Sequence, residues 1–331
     1  ARRRFARRST NGTAPGWTTG FRPMSSITST DTTSIAAMTD RKDRQDGTGR
    51  EEWRRRPWVI VGCGRLGRLL GLAANHLDIP LRATWNRTEE AAERTRRRLG
   101  PEVALAGDVA EQLAAVDLTE TVVWLTVVDD AIEAMADEIA GDVPEGSLLL
   151  HGCGSLDASV LRAGSSGRPT VGSVHPLLAI TDPERALERS SEVVWTVEGD
   201  RQAVAFGRAF IDALGGQCVE LASGTRALYH ASASTAANLV VALIDAALQM
   251  AELAGLTRQK ARQMLLPLVV SAVDNLREAS TEDALSGPAA RGDEGTIKRH
   301  REALADRAPE LLGVYDALTE RARELADRRG E

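Results

Sequence analysis

The stretch Val59-Ile60-Val61-Gly62-Cys63-Gly64-Arg65-Leu66-Gly67 constrains this chain more than any other. Pro57 and Trp58 lead into a short β-branched run, a G-x-G-x-x-G turn ends it, and Leu69, Leu70, Leu72 and Ala73 begin a helical pattern at once. Glycine-rich turns are common and mean little alone; between a strand and a helix the motif reads as a dinucleotide-binding turn. Gly62 permits the tight turn, Gly64 lets backbone approach a pyrophosphate, and Gly67 lets helix and strand pack closely. Arg65 and Leu66 open the helix, where free N–H groups and the positive end of the dipole suit phosphate.

Downstream, Leu81–Trp85 reads as a second strand followed directly by Asn86-Arg87-Thr88. An acid at this place holds a ribose 2′-hydroxyl, whereas an arginine suits a 2′-phosphate. The sequence has Asn86 and Arg87 there, with Thr88 placed to cap the next helix and add a hydroxyl, so NADP(H) is expected over NAD(H). A plain N-cap beside a solvated arginine is the simpler alternative. Thr121–Val128 is an almost continuous apolar run, as expected of a parallel strand buried on both faces. Ser147–Leu150, ending in His151-Gly152-Cys153-Gly154-Ser155 with a helix to Leu161, and Val171–Val174, stopped at His175-Pro176, continue the alternation. The pattern predicts an α/β chain, an N-terminal doubly wound parallel Rossmann sheet followed by an all-α C-terminal domain. Ligands of such sheets lie beyond the carboxyl ends of the strands. Val127–Asp129, His151–Ser155 and His175-Pro176 are therefore expected to converge around the nicotinamide, with Val127 on the cofactor and Ser155 and His175 on substrate. His151 by itself reads as a packing residue.

The expected boundaries are a disordered tail over 1–50, the dinucleotide domain over 57–197, a connecting α/β segment over 198–224 and a helical domain over 225–331. The tail has six arginines and no acid before Asp31, with neither helical nor strand period, so a transit peptide is the competing reading. The formal net charge of −6 gives no global field for nucleic acid. Cys63, Cys153 and Cys218 are too scattered for a disulfide framework or a zinc knuckle, which points to a reducing cytoplasm and no metal. No run of 18 apolar residues occurs, so no membrane span is expected. Lysine is confined to Lys42, Lys260 and Lys298, so almost all positive charge sits on arginine, which does not give up its proton.

From Thr225 the chain reads as helix. Arg226, His230, Ser234 and Asn238 recur every fourth residue, a polar row drifting about 40° per step on an alanine-rich helix. Such a row reads as the wall of a substrate pocket, or else as a hydrated face or a buried network. Past Ser286-Gly287-Pro288, the polar loop containing Arg291 and Asp293 either serves the site or caps the following helix.

Gly62–Gly67, Ser173-Val174-His175-Pro176-Leu177, Ala227–Ala231 with Asn238, and Gly287-Pro288-Ala289-Ala290-Arg291-Gly292-Asp293 with Thr296 and His300 occur in this order. Together they resemble the bacterial Rossmann-like and DUF2520 domain-containing proteins. That group shares a superfamily with 6-phosphogluconate dehydrogenase-like, pyrroline-5-carboxylate reductase-like and ketopantoate reductase-like enzymes. Asn86-Arg87-Thr88 also resembles the NADP-selecting turn of the β-hydroxyacid dehydrogenases. The resemblance covers about residues 57–328 and implies the fold, NADP(H) and a homodimer built through the helical domain. In the β-hydroxyacid dehydrogenases a lysine and an asparagine one turn apart serve catalysis; here Ser234 precedes Asn238 and the helix has no lysine.

The expected activity is hydride transfer between NADP(H) and a small carbonyl, imine or hydroxy acid. His230 is the first choice of proton donor, with Tyr229 and His175 in reserve. Ser234 and Asn238 would orient the carbonyl oxygen, and Arg226 or Arg291 would hold a carboxylate. A non-catalytic dinucleotide sensor and an F420-dependent reductase are the rivals.

Overall fold

The computed structural model describes residues 52–139, 141–162 and 169–330; the expected tail lies outside them. Eight strands form one sheet: Trp58–Val61 (β1), Leu81–Asn86 (β2), Val103–Ala106 (β3), Val122–Leu125 (β4), Leu148–His151 (β5), Thr170–Pro176 (β6), Val194–Gly199 (β7) and Gln217–Glu220 (β8). Their order is β3-β2-β1-β4-β5-β6-β7-β8. The first six run parallel, as the alternating pattern requires. β7 then pairs antiparallel with β6, and β8 parallel with β7.

The continuous apolar runs follow from burial on both faces. Trp58, Ile60 and Trp124 point into one core with Phe206 and Phe210, while Val59, Val61, Val123 and Leu125 point into the other. Three helices follow the first strands: Arg65–His76 (α1), Glu89–Leu99 (α2) and Val109–Leu113 (α3). Ile132–Ile139 (α4), Pro183–Glu188 (α5) and Arg201–Ala213 (α6) continue the series. Two expectations need correction. The 198–224 segment is no connector: α6 supplies Phe206 and Phe210 to the aromatic cluster around Trp58 and Trp124, and β8 extends the sheet. The helix expected up to Leu161 is only a 3-10 turn over Ala158–Arg162.

The remaining chain is helical: Arg226–Ser234 (α7), a wide π turn over Thr235–Leu239, Val240–Leu253 (α8), Arg258–Glu278 (α9), Thr281–Ala284 (α10), Glu294–Arg307 (α11) and Pro309–Asp327 (α12). Its own core consists of Ala246, Leu304, Ala308 and Leu311. Arg226–Leu253 is long and apolar enough, by length and composition, to cross a bilayer, with a mean hydropathy of 1.5 and 11% of that window buried. Scattered polar positions break up the apolar residues of this helix, so it contains no unbroken run of 18 although its mean hydropathy is high.

Candidate active site

Each glycine of the opening turn has a separate physical task. Gly62 has φ +94°, and a Cβ there would lie 2.9 Å from Val127 Cγ1. A Cβ on Gly67 would lie 2.3 Å from the Gly62 carbonyl oxygen and 2.7 Å from Thr126 Oγ1. Thr126 Oγ1 donates to that same carbonyl at 2.5 Å, tying the turn to the end of β4. Before Gly64 there is open space. No side chain caps α1 and no acid occupies its first turn, so the amides there are available to an anion. The contrast with α2 is direct: Thr88 caps that helix by accepting from Ala91 N, and Glu89 and Glu90 occupy its first turn.

A cleft of about 370 Å³ opens at this turn, lined by Gly62, Gly64, Asn86, Arg87, Val127 and Val128 among others. Asn86 is 5% exposed, and its Nδ2 has no hydrogen-bond partner. Open backbone, an uncapped helix start and a buried orphan donor fit the phosphates and ribose of a dinucleotide. Leu66 packs on Gly152, where a Cβ would meet Leu66 Cδ2 at 2.2 Å, and the Arg65 guanidinium reaches the Ile180 carbonyl at 3.4 Å.

The ends of β5 and β6 and the start of α7 meet over Gly154. A Cβ on that residue would lie 2.5 Å from His230 Nδ1 and 2.9 Å from His175 Nε2, so glycine is the floor on which two imidazoles sit. Their ring centroids are 5.9 Å apart, edge to face. Tyr229 Oη lies 3.4 Å from His175 Nδ1. His230 Nδ1 is buried without a partner. Burial first, and then the Arg226 guanidinium and the neighbouring His230, push His175 down to about 4, which keeps it neutral near pH 7. Ser155 stands beside them, its hydroxyl 3.2 Å from Cys153 Sγ.

Beneath this pair lies a buried polar support. His151 is buried: its Nδ1 accepts from Cys153 N–H at 3.2 Å, and its Nε2 faces the Asp157 carbonyl at 3.3 Å. Burial drives it down to about 3, consistent with a packing role. Arg226 was expected to hold substrate; the structure encloses it completely, at 0% exposure. Its Nη1 donates to the Cys153 carbonyl and its Nη2 to the Ser173 carbonyl, each at 3.2 Å, and its Nε lies 3.6 Å from Glu198 Oε2. The guanidinium is spent on strand ends and pins α7 to the sheet.

The rest of the polar row divides by depth. His230 and Ser234 are half-buried, while Asn238, in the π turn, is exposed. Arg291 and Asp293 stand apart from the imidazoles. Arg291 lines a pocket of about 510 Å³ between the end of α9 and Arg329, and Asp293 caps α11, accepting from Thr296 N–H at 3.0 Å. Glu198 was not among the expected site residues, and nothing local marks it; Gly154, three residues past the end of β5, lies within the His151–Ser155 stretch expected there. Among the described residues, no cluster of His, Cys, Asp or Glu is arranged to hold a metal.

Residues 193–322 match the family model for DUF2520, a domain of unknown function. Among curated proteins, none matches the chain in sequence. Solved structures do share the fold. A Bacteroides fragilis protein described as a candidate NADP oxidoreductase is 23% identical with a TM-score of 0.66, covering 82% of this chain and 99% of its own. A Thermotoga maritima protein is 21% identical with a TM-score of 0.64, covering 83% and 100%. An imine reductase from Myxococcus stipitatus, in complex with NADP+, is 18% identical with a TM-score of 0.57, covering 82% and 94%. The chain thus shares a Rossmann-type fold with these structures, and the stretch that matches the DUF2520 model takes in the last two strands of the sheet as well as most of the helices that follow.

Proposed function

We propose that this protein is an NADP(H)-dependent oxidoreductase acting on a small carbonyl, imine or hydroxy acid. The observation that carries the proposal is one shared edge. The open glycine turn at the end of β1 and the imidazole pair at the ends of β5 and β6 lie on the same carboxyl edge of the parallel strands. The likeness to the NADP+-bound imine reductase supports the same reading. The nicotinamide supplies hydride when bound; the protein supplies placement and a proton. Free amides at the start of α1 receive the pyrophosphate, and Asn86, Arg87 and Thr88 receive the adenosine end. Val127 lines the cleft, and Leu66 packs on Gly152.

His230 moves the proton. Its unpartnered Nδ1 is buried next to a neutral imidazole, where no protein group competes for it. Tyr229 Oη, 3.4 Å from His175 Nδ1, orients that neighbour. Ser234 and Asn238 make no side-chain hydrogen bond to described residues, which leaves both free to orient a substrate oxygen or nitrogen. A second copy of the chain covers the helical face. Leu239, Val241, Leu268, Val270 and Leu318 are all exposed on helices whose own buried cluster is small, more apolar surface than a lone helical layer leaves in water.

Titration with NADPH, NADH and reduced F420, followed by a screen of 2-keto acids, cyclic imines and hydroxy acids, tests the proposal. NADPH should bind most tightly and be oxidised with at least one substrate class. Equal affinity for NADPH and NADH would defeat the cofactor assignment, and tight binding without turnover across the screen would favour the sensor.

A further inference from the structure

A second pocket, of about 240 Å³, lies beside the dinucleotide cleft, between α1 and α2. It shares Cys63, Asn86 and Ala91 with that cleft, so the two adjoin across these residues. Three guanidinium groups line it, Arg68 from α1 and Arg94 and Arg98 from α2, and no carboxylate does. The arginine-rich end of α2 is thereby split by function. Arg96 and Arg97 both bond to Glu93, at 2.7 and 2.8 Å, and are consumed on the surface. Arg98 has no hydrogen bond or ion pair with any described residue, Arg94 shares its charge with Glu90, and Arg68 commits only its Nε, to the Gly64 carbonyl at 3.3 Å.

A second observation points the same way. Asn86 separates the two pockets, is 5% exposed, and presents an Nδ2 with no partner, while its Oδ1 accepts from Thr95 Oγ1 at 3.4 Å. A buried amide donor left unmet costs about 1–3 kcal/mol, so an acceptor belongs there. The Cys63 thiol, pushed up to about 12 by burial, adds no negative charge that would oppose an anion.

We propose that this arginine basin binds a phosphate monoester dianion, the 2′-phosphate of NADP(H), with Arg68, Arg98 and the Asn86 amide as its donors and Arg94 as supporting charge. The inference rests on the dinucleotide reading above and moves the selection for 2′-phosphate inward. Arg87 then stands at the rim of the cleft, and the discriminating charge comes from the facing sides of α1 and α2. Guanidinium pairs suit phosphate oxygens, and charge-assisted bonds are the strong ones.

Calorimetric titration of the full chain with 2′,5′-ADP, 5′-ADP and inorganic phosphate tests this without any turnover. Arg98→Ala and Arg68→Ala should each weaken 2′,5′-ADP about tenfold, and the double variant about a hundredfold, corresponding to roughly one charge-assisted bond apiece. Binding of 5′-ADP should stay within about twofold, and Arg98→Lys should recover part of the loss. A 2′,5′-ADP to 5′-ADP affinity ratio untouched by both substitutions overturns the basin while leaving the dinucleotide reading in place. If the unmutated chain binds 2′,5′-ADP no better than 5′-ADP, the NADP(H) reading fails and takes the basin with it. Inorganic phosphate binding undiminished by saturating 2′,5′-ADP would mean an independent phosphate site and overturn the 2′ assignment. Thermal melting of each variant checks the fold, which both substitutions should leave intact because Arg98 is exposed and Arg68 half-exposed.

Discussion

The sheet and the helical layer solve the burial problem in opposite ways. In the sheet, strands one residue wide in chemistry face two cores, and Trp58, Trp124, Phe206 and Phe210 lock together with ring centroids 5.2–6.4 Å apart. In the helices, the buried cluster is small, Ala246, Leu304, Ala308 and Leu311 with Met250, Leu312 and Tyr315 packed against it, while Leu268, Val270 and Leu239 face outward. The difference teaches that one half buries its apolar side chains within itself, whereas the other leaves many of its own exposed. The candidate site lies where they meet, at the start of α7, whose first side chain is buried in the sheet and whose later ones emerge from it.

The largest effect should separate the two halves directly. Trp124→Ala, at a fully buried position, should destabilise the protein by about 3–5 kcal/mol in urea unfolding. Leu268→Ala should change the stability of dilute protein by no more than about 0.5 kcal/mol. Comparable losses at both positions would erase the distinction. In sedimentation, Leu268→Glu should shift the protein towards monomer; an unchanged sedimentation coefficient would leave the helical face without its second copy.

A comparable contrast exists within α7. Arg226→Met leaves Glu198 buried beside no cation, and breaking a buried pair in this way costs about 3–5 kcal/mol. His230→Ala should leave the melting temperature and NADPH affinity nearly unchanged and lower turnover about a hundredfold. Lost stability with intact specific turnover in His230→Ala would make the imidazole structural.

Acid should act on the supporting layer. His151 and His175 are held at about 3 and about 4, against 6.5 when unfolded. The unfolded chain therefore takes up protons that the folded one refuses, so the stabilisation present above about pH 6.5 drains away as pH falls towards 4, on the order of 2 kcal/mol or more. Unfolding free energies measured from pH 7.5 to 4.5 should fall, and His151→Gln should flatten the curve; a slope unaltered by that substitution would assign the acid sensitivity to other groups.

The smallest effect on the fold should come from Gly64→Ala. Its φ of −66° suits any residue, and a Cβ there meets nothing within 4 Å. Melting should stay put while NADPH affinity drops about tenfold, because the methyl stands where backbone approach to pyrophosphate is needed. Gly67→Ala, with its Cβ 2.3 Å from the Gly62 carbonyl, should disturb both. Equal behaviour of the two variants would mean that the turn is shaped by packing alone.

What residue order announced was local. The glycine turn declares itself through backbone freedom, the buried strands through unbroken β-branched runs, Thr88 and Asp293 through capping chemistry, and α7 through its period. Each of these depends on neighbours within a few residues, and a chain carries that information in plain view. The antiparallel turn back at β7, the absorption of 198–224 into the sheet and the fate of the polar row were settled elsewhere. Arg226 and His230 are one helical turn apart and look alike as polar positions. One is sealed because Glu198 and the carbonyls of Cys153 and Ser173 arrive from three separate strand ends; the other emerges over Gly154 with a nitrogen unmet. The same holds for Arg98 and Arg97, adjacent in sequence, one facing α1 and the other spent on Glu93. Burial and charge environment are sums over residues far apart along the chain, so only the packed sheet decided which side chains became structure and which were left for a ligand.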